Sequence, residues 1–137
     1  MTPREVVLAW VGAFNRRDAD AAAALYHAYA VNHQVAAGDT MVGRETIRED
    51  FHDFFRAFPD SVTHVETLFT DGEWAILEWS GGATWLGDFA GRRPNRRAYT
   101  LRGCGFFHVV NGLIEFQRGY WDKATWFDQL GIGTEGA

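Results

Sequence analysis

The stretch Asn111-Gly112-Leu113-Ile114-Glu115-Phe116-Gln117-Arg118-Gly119-Tyr120-Trp121-Asp122, followed by Lys123 to Leu130 and Gly131, decides the fold. Asn-Gly is the preferred pair for a tight hairpin turn, because both residues tolerate positive φ, and aliphatic and aromatic strand formers flank it here. A hairpin therefore feeds a strand that stops at Asp122. There the pattern becomes helical: Asp122 stands where a side chain caps backbone NH groups, Trp126 and Leu130 are at helical spacing, and Gly131 is the stop. A carboxylate at a strand end among Tyr120, Trp121 and Trp126 is either that cap or part of a pocket.

Working outward, Val62 to Thr70, Trp74 to Thr84, Arg97 to Val110 and Leu113 to Asp122 read as four longer strands. Asp71-Gly72, the loop from Gly87 to Pro94, and Asn111-Gly112 separate them. Gly81-Gly82 and Gly103/Gly105 inside these runs predict bulges or bends that let a sheet curve. The N-terminal half is helical. Thr2-Pro3-Arg4-Glu5 offers a cap, a first-position proline and a capping-box glutamate, and Val6, Val7, Trp10, Val11 and Phe14 lie largely on one face of the helix that follows. Asp18 opens a second helix whose alanine run carries it to near Tyr29, and Val31 to Ala36 reads as a short strand broken by Gly38-Asp39. Arg44 to Ala57, with Ile47, Phe51, Phe54, Phe55 and Phe58 on one stripe, predicts a third helix closed by Pro59. Helices followed by a run of strands define an α+β chain: a curved antiparallel sheet wrapped around N-terminal helices, cone-shaped.

These segments resemble the SnoaL-like polyketide cyclase family, within the broader nuclear transport factor 2-like fold. Asn111-Gly112-Leu113-Ile114, Arg118, Tyr120, Asp122 and Gln129-Leu130-Gly131 match its closing turn, last strand and final helix. Ala13-Phe14-Asn15-Arg16-Arg17-Asp18 matches the end of its first helix, Val42-Gly43-Arg44-Glu45-Thr46-Ile47 the start of its third, and Phe58-Pro59-Asp60 the loop beyond. The resemblance implies general acid/base chemistry, without a cofactor, on an apolar carbonyl-bearing or polycyclic molecule: cyclase, isomerase or hydrolase type, a polyketide cyclase-like lyase or isomerase. It also implies a catalytic Asp where this chain has Gly119 and a helper His where it has Gly105, while Asn32 matches the family's pocket Asn. The alternative is a non-catalytic small-molecule binding or dimerisation domain that keeps the pocket and lacks the catalytic pair.

A length of 137 residues fits a single domain, expected over 1–133 with a flexible tail at 134–137. Hydrophobic content of 47% with six Trp and eleven Phe points to an aromatic-lined interior or a covered subunit face. The single Cys104 excludes an internal disulfide and suits a reducing compartment, and with no signal-peptide or membrane-spanning run the expected location is the cytoplasm. A net charge of −5 argues against nucleic acid; the local exception, Arg92-Arg93-Pro94-Asn95-Arg96-Arg97, reads as a solvated loop or a cationic rim over a pocket. His27, His52, His64 and His108 have no metal-ligand spacing, so no metal is expected.

A cone closed by helices offers one mostly apolar pocket in which a carboxyl or imidazole is desolvated toward useful pKa values. The candidate proton carriers are Asp122 and His33; the candidate substrate-binding residues are Phe14, Asn32, Trp85, Gln117, Tyr120 and Trp121. If the early strand is regular, one of Asn32 and His33 faces inward. In the last strand Glu115, Gln117, Gly119 and Trp121 share one parity and Ile114, Phe116, Arg118 and Tyr120 the other; either set can line the cavity, and a bulge reconciles them. Trp85 either stacks on a planar ligand or packs against the sheet. Because Trp74 to Trp79 and Phe106 to Val110 place apolar residues at both parities, the outer sheet face is expected to be covered by a second copy in a homodimer.

Overall fold

The computed structural model describes residues 1–133, so the tail expected at 134–137 lies outside the described residues. Helix α1 (Pro3–Asn15) starts on a reciprocal capping box: Glu5 N donates to Thr2 Oγ1 at 3.2 Å and Thr2 N to Glu5 Oε1 at 2.9 Å. It buries Val6, Val7, Trp10, Val11 and Ala13. Asp18 caps α2 (Ala19–Ala23) through a 2.9 Å bond from Ala21 N, but that helix is shorter than its alanines suggest. Strand β1 (Tyr26–Gln34) begins at once, because Tyr26 and Ala30 reach the core only from an extended chain laid beside other strands. Pairing overrides local helix propensity here. Val35–Ala37 is one 3₁₀ turn, not strand, and β2 (Thr40–Val42) folds back antiparallel on β1.

Helix α3 (Arg44–Ala57) follows its predicted bounds. The strands β3 (Val62–Asp71), β4 (Trp74–Thr84), β5 (Ala98–Val110) and β6 (Leu113–Trp121) lead into α4 (Lys123–Leu130), which ends on Gly131 at φ 74°. The β5–β6 turn has Asn111 at φ 52° and Gly112 at φ 80°, the positive pair that its sequence called for. One six-stranded sheet results, in the order β2-β1-β6-β5-β4-β3. It is antiparallel except that β1 runs parallel to β6, a pairing that the antiparallel expectation lacked.

Sequence placed bulges at the glycines, and the structure places them elsewhere. Register runs unbroken through Gly81-Gly82 and through Gly103 and Gly105; the irregularities fall between Val65 and Thr67 and between His108 and Val109. Gly103 instead makes room for an indole, since a Cβ there would lie 2.5 Å from Trp79 Cζ2. Two hydrophobic clusters fill the cone. One joins α1, α2 and α3 to the sheet through Trp10, Tyr26, Ile47, Phe51, Leu77 and Phe107; the other gathers Phe58, Trp85, Tyr99, Trp126 and Leu130 beneath α4. Among the described residues, no helix is long and apolar enough to cross a membrane.

Candidate functional site

The second irregularity decides which side of β6 faces inward. Val109 pairs with Ile114 and His108 with Phe116, so Glu115 is the extra residue and parity switches across it. Ile114, Gln117, Gly119 and Trp121 therefore line the inner face, and Phe116, Arg118 and Tyr120 the outer one. Both sequence parities were half right. A single inserted residue lets the apolar start and the polar end of the strand share one side.

Registers then define rows across the inner face. Asn32 of β1 lies beside Gln117 of β6 and Phe107 of β5; one row on, Gln34 lies beside Gly119 and Gly105; beyond it come Trp121, Gly103 and Trp79. Asn32 and Gln117 are only 2% and 5% exposed. Uncharged hydrogen bonds link these rows. Trp10 Nε1 donates to the Tyr26 hydroxyl at 2.9 Å, and that hydroxyl donates to Gln117 Oε1. Gln34 Nε2 donates to Asn32 Oδ1 at 2.7 Å, and Trp121 Nε1 to Gln34 Oε1 at 2.9 Å. Both acceptor oxygens of the buried pair are thus used. The Asn32 and Gln117 NH2 groups have no hydrogen-bond acceptor among the described residues.

Burial raises the Tyr26 hydroxyl well above its ordinary pKa, so it stays a neutral donor and acceptor. Above the glycines the space is filled: Gln34 lies over Gly119, and Phe107 and Trp79 lie over Gly105 and Gly103. Phe14 belongs to the aromatic wall of the first cluster, stacked on Trp10 at 4.1 Å and edge-on to Phe51 at 5.0 Å. Of the sequence candidates, the structure brings Asn32, Gln117 and Trp121 together on the inner face, with Phe14 in the wall beside them.

The other candidates lie elsewhere. Asp122 is exposed and accepts from Thr125 N at 3.1 Å as the cap of α4; hydrogen bonds from Thr125 hold its carboxyl below the usual value, which makes it a weak base. His33 alternates with the buried Asn32 and stands beside Arg118, on the outer face. Tyr120, 42% exposed, is also on the outer face, edge-on to Phe106. Trp85 is 2% exposed, donates to Gly87 O at 2.7 Å and packs in the second cluster, so it has no free face for a ligand. His33 and Tyr120 depart for one cause: neighbours in sequence alternate across a strand, whereas a list built from motifs does not.

Asp50 on α3 is an exposed acid. It sits three residues after Ile47 and four before Phe54, on the apolar side of α3, and this lone acid on a hydrophobic stripe was a signal available in the sequence. Desolvation, and then Asp53, raise its carboxyl above the ordinary value. Two open clefts, of about 740 and 450 Å³, lie on the outer face. The first runs past Val62, His64, Ser80, Thr100 and Arg102, and Asp122 borders both. Among the described residues no group of acidic, His or Cys side chains is arranged to hold a metal ion.

The family model of the SnoaL-like polyketide cyclases matches residues 4–130. Solved structures share the fold at low identity. A candidate SnoaL-like polyketide cyclase from Jannaschia sp. CCS1 superposes with a TM-score of 0.86 at 15% identity, covering 96% of this chain and 92% of that one. IdmH, a candidate polyketide cyclase from Streptomyces antibioticus, gives 0.80 at 23% identity over 96% and 100% of the two chains. AclR, a candidate hydroxylase from Streptomyces galilaeus, gives 0.82 at 18% identity over 94% and 95%. No curated protein matches the chain.

Proposed function

The chain belongs to the SnoaL-like polyketide cyclase family, and from that membership we propose that it is a small-molecule enzyme of cyclase or isomerase type. It binds an apolar, carbonyl-bearing or polycyclic molecule on the inner face of the cone and moves protons without a cofactor. The observation that carries this reading is the pair of side-by-side amides Asn32 and Gln117 on the inner face, in one row with Phe107, whose NH2 groups donate to no other described residue. Two such donors, held by Gln34 and Tyr26, suit a carbonyl oxygen that gains negative charge as a neighbouring carbon loses its proton.

One observation favours the second reading, a binding domain without catalysis: the positions of the family's Asp and His are Gly119 and Gly105, and Gln34 and Phe107 fill the space above them. In either reading the outer sheet face is the self-association surface. Phe69 and Trp74 are exposed there at 65% and 36%, and Arg118 lies among the rings of Phe106, Phe116 and Tyr120 at 5.1, 5.6 and 5.9 Å.

A thermal-shift panel of planar polycyclic ketones and aromatic acids tests the proposal. Ligands of the ketone class raise the melting temperature by mass action in the wild type and much less in Asn32→Leu. No stabilisation by any compound contradicts both readings of the inner face.

A further inference from the structure

Resting on that reading, we propose that the indole N–H groups of Trp10 and Trp121 make the inner site selective for neutral hydrogen-bond acceptors, because each fixes the direction of a chain that ends on one of the two amides. The first chain runs from helix α1 to strand β6. Trp10 Nε1 donates to the Tyr26 hydroxyl at 2.9 Å, and that hydroxyl donates to Gln117 Oε1. The second chain runs from β6 to β1: Trp121 Nε1 donates to Gln34 Oε1 at 2.9 Å, and Gln34 Nε2 donates to Asn32 Oδ1 at 2.7 Å. Their ends lie side by side, since Asn32 and Gln117 are register partners.

Direction follows from what each group can donate and accept. A carboxamide can turn over and exchange its oxygen for its NH2, and a hydroxyl can rotate, but an indole N–H only donates. Facing Trp121, Gln34 presents its oxygen; its NH2 then points at Asn32, which presents oxygen in turn. Facing Trp10, the Tyr26 hydroxyl accepts, so its own proton goes to Gln117 and requires the amide oxygen there. Burial keeps that hydroxyl protonated. Each chain therefore ends in an NH2, and turning either one around would leave a donor without its acceptor.

The two ends suit one atom. Side chains leaving neighbouring strands at one register point start about 5 Å apart, and donors at that spacing can each lie about 2.9 Å from a single carbonyl oxygen, roughly 110° apart. Asn32 and Gln117 are buried, yet neither NH2 is among the described polar atoms that are both sealed and unbonded, which are Ser61 Oγ, Arg118 Nε and Trp126 Nε1. The next rows, Gln34 with Gly119 and Gly105, then Trp121 with Gly103 and Trp79, hold no charged side chain. A ketone, quinone or lactone oxygen fits such ends. A ligand that offers only N–H meets donors, and a carboxylate meets no cation in these rows.

The experiment compares 2-tetralone, a bicyclic ketone that only accepts, with indole, a bicyclic compound of similar size that only donates, by NMR titration of the side-chain NH2 signals and by thermal shift. The wild type binds 2-tetralone about tenfold or more tightly than indole. Trp121→Phe frees the Gln34–Asn32 chain and moves the Asn32 NH2 signals while sparing those of Gln117; Trp10→Phe does the reverse, and each lowers the preference by about threefold or more. Equal or tighter binding of indole to the wild type, with the amide signals moving, overturns the selectivity and leaves the inner site standing. A preference undiminished in both folded variants overturns the assignment to the indoles. Binding of neither compound overturns the proposal together with the reading beneath it. Hydrogen exchange in D2O is a check that needs neither variant nor ligand: both indole N–H protons exchange slowly, and rapid exchange of either contradicts its chain.

Discussion

Gln34 and Gly119 share one space: a Cβ built on Gly119 would lie 2.8 Å from both Cδ and Nε2 of Gln34. The two residues are register partners on the parallel strands β1 and β6, and the Gln34 amide turns over the glycine to bond Asn32 and Trp121. A strand position where the resemblance implied a carboxylate is thus occupied by a neighbour's amide. The inner site is neutral at that point.

Replacing that glycine tests the arrangement. Gly119→Asp displaces the Gln34 amide and breaks its bonds to Asn32 and Trp121, at a cost of roughly 1–3 kcal/mol. The double variant Gln34→Ala/Gly119→Asp is more stable than the sum of the single changes predicts, by about 0.5–3 kcal/mol in a double-mutant cycle measured by denaturant unfolding. Additive losses contradict the shared space.

Asp122 caps helix α4, and its proposed part is structural. Asp122→Ala lowers the melting temperature by a few degrees and Asp122→Asn by less, because Asn keeps an acceptor for Thr125 N. Its folded pKa is depressed, so its contribution is present above the unfolded aspartate pKa and is lost as pH falls through the lower folded value. The gap between wild type and Asp122→Ala therefore closes in acid. Equal melting temperatures for the wild type and Asp122→Ala at neutral pH contradict the capping role.

Asp50 carries the opposite sign. Its folded pKa is raised, so folding is favoured below the unfolded value and penalised as pH rises through the folded one. Asp50→Asn removes the charge and melts higher than the wild type at neutral pH, while the two curves converge in acid. Equal melting temperatures at pH 7 contradict a desolvated carboxyl.

How much the sequence disclosed follows from what it encodes locally. The bounds of α3, the Asn111-Gly112 turn and the cap at Asp122 are local patterns, and each appears in the structure where the residues put it. The early start of β1 at Tyr26 and its parallel alignment with β6 were not legible, because both depend on distant partners, as the Tyr26–Gln117 bond across 91 residues shows. Of the candidates, Asn32, Gln117 and Trp121 lie on the inner face and Tyr120 and His33 on the outer one, a division the sequence left open because strand phase depends on the bulge at Glu115.

The outer face predicts a dimer. Light scattering at micromolar concentration gives about twice the chain mass, and Trp74→Glu, on the sheet face carrying Phe116 and Tyr120, shifts the population to monomer. A monomeric wild type contradicts self-association through this surface.

The central claim is that ligand is held by the inner amides. Side-chain NH2 signals of Asn32, Gln34 and Gln117 resolve by NMR, and titration with 2-tetralone reads them directly. The account predicts that the Asn32 and Gln117 signals move together and saturate with one dissociation constant, while His64, Thr100 and Arg102 along the outer cleft stay unperturbed. Shifts confined to the outer cleft, with the inner amides unmoved, would contradict it.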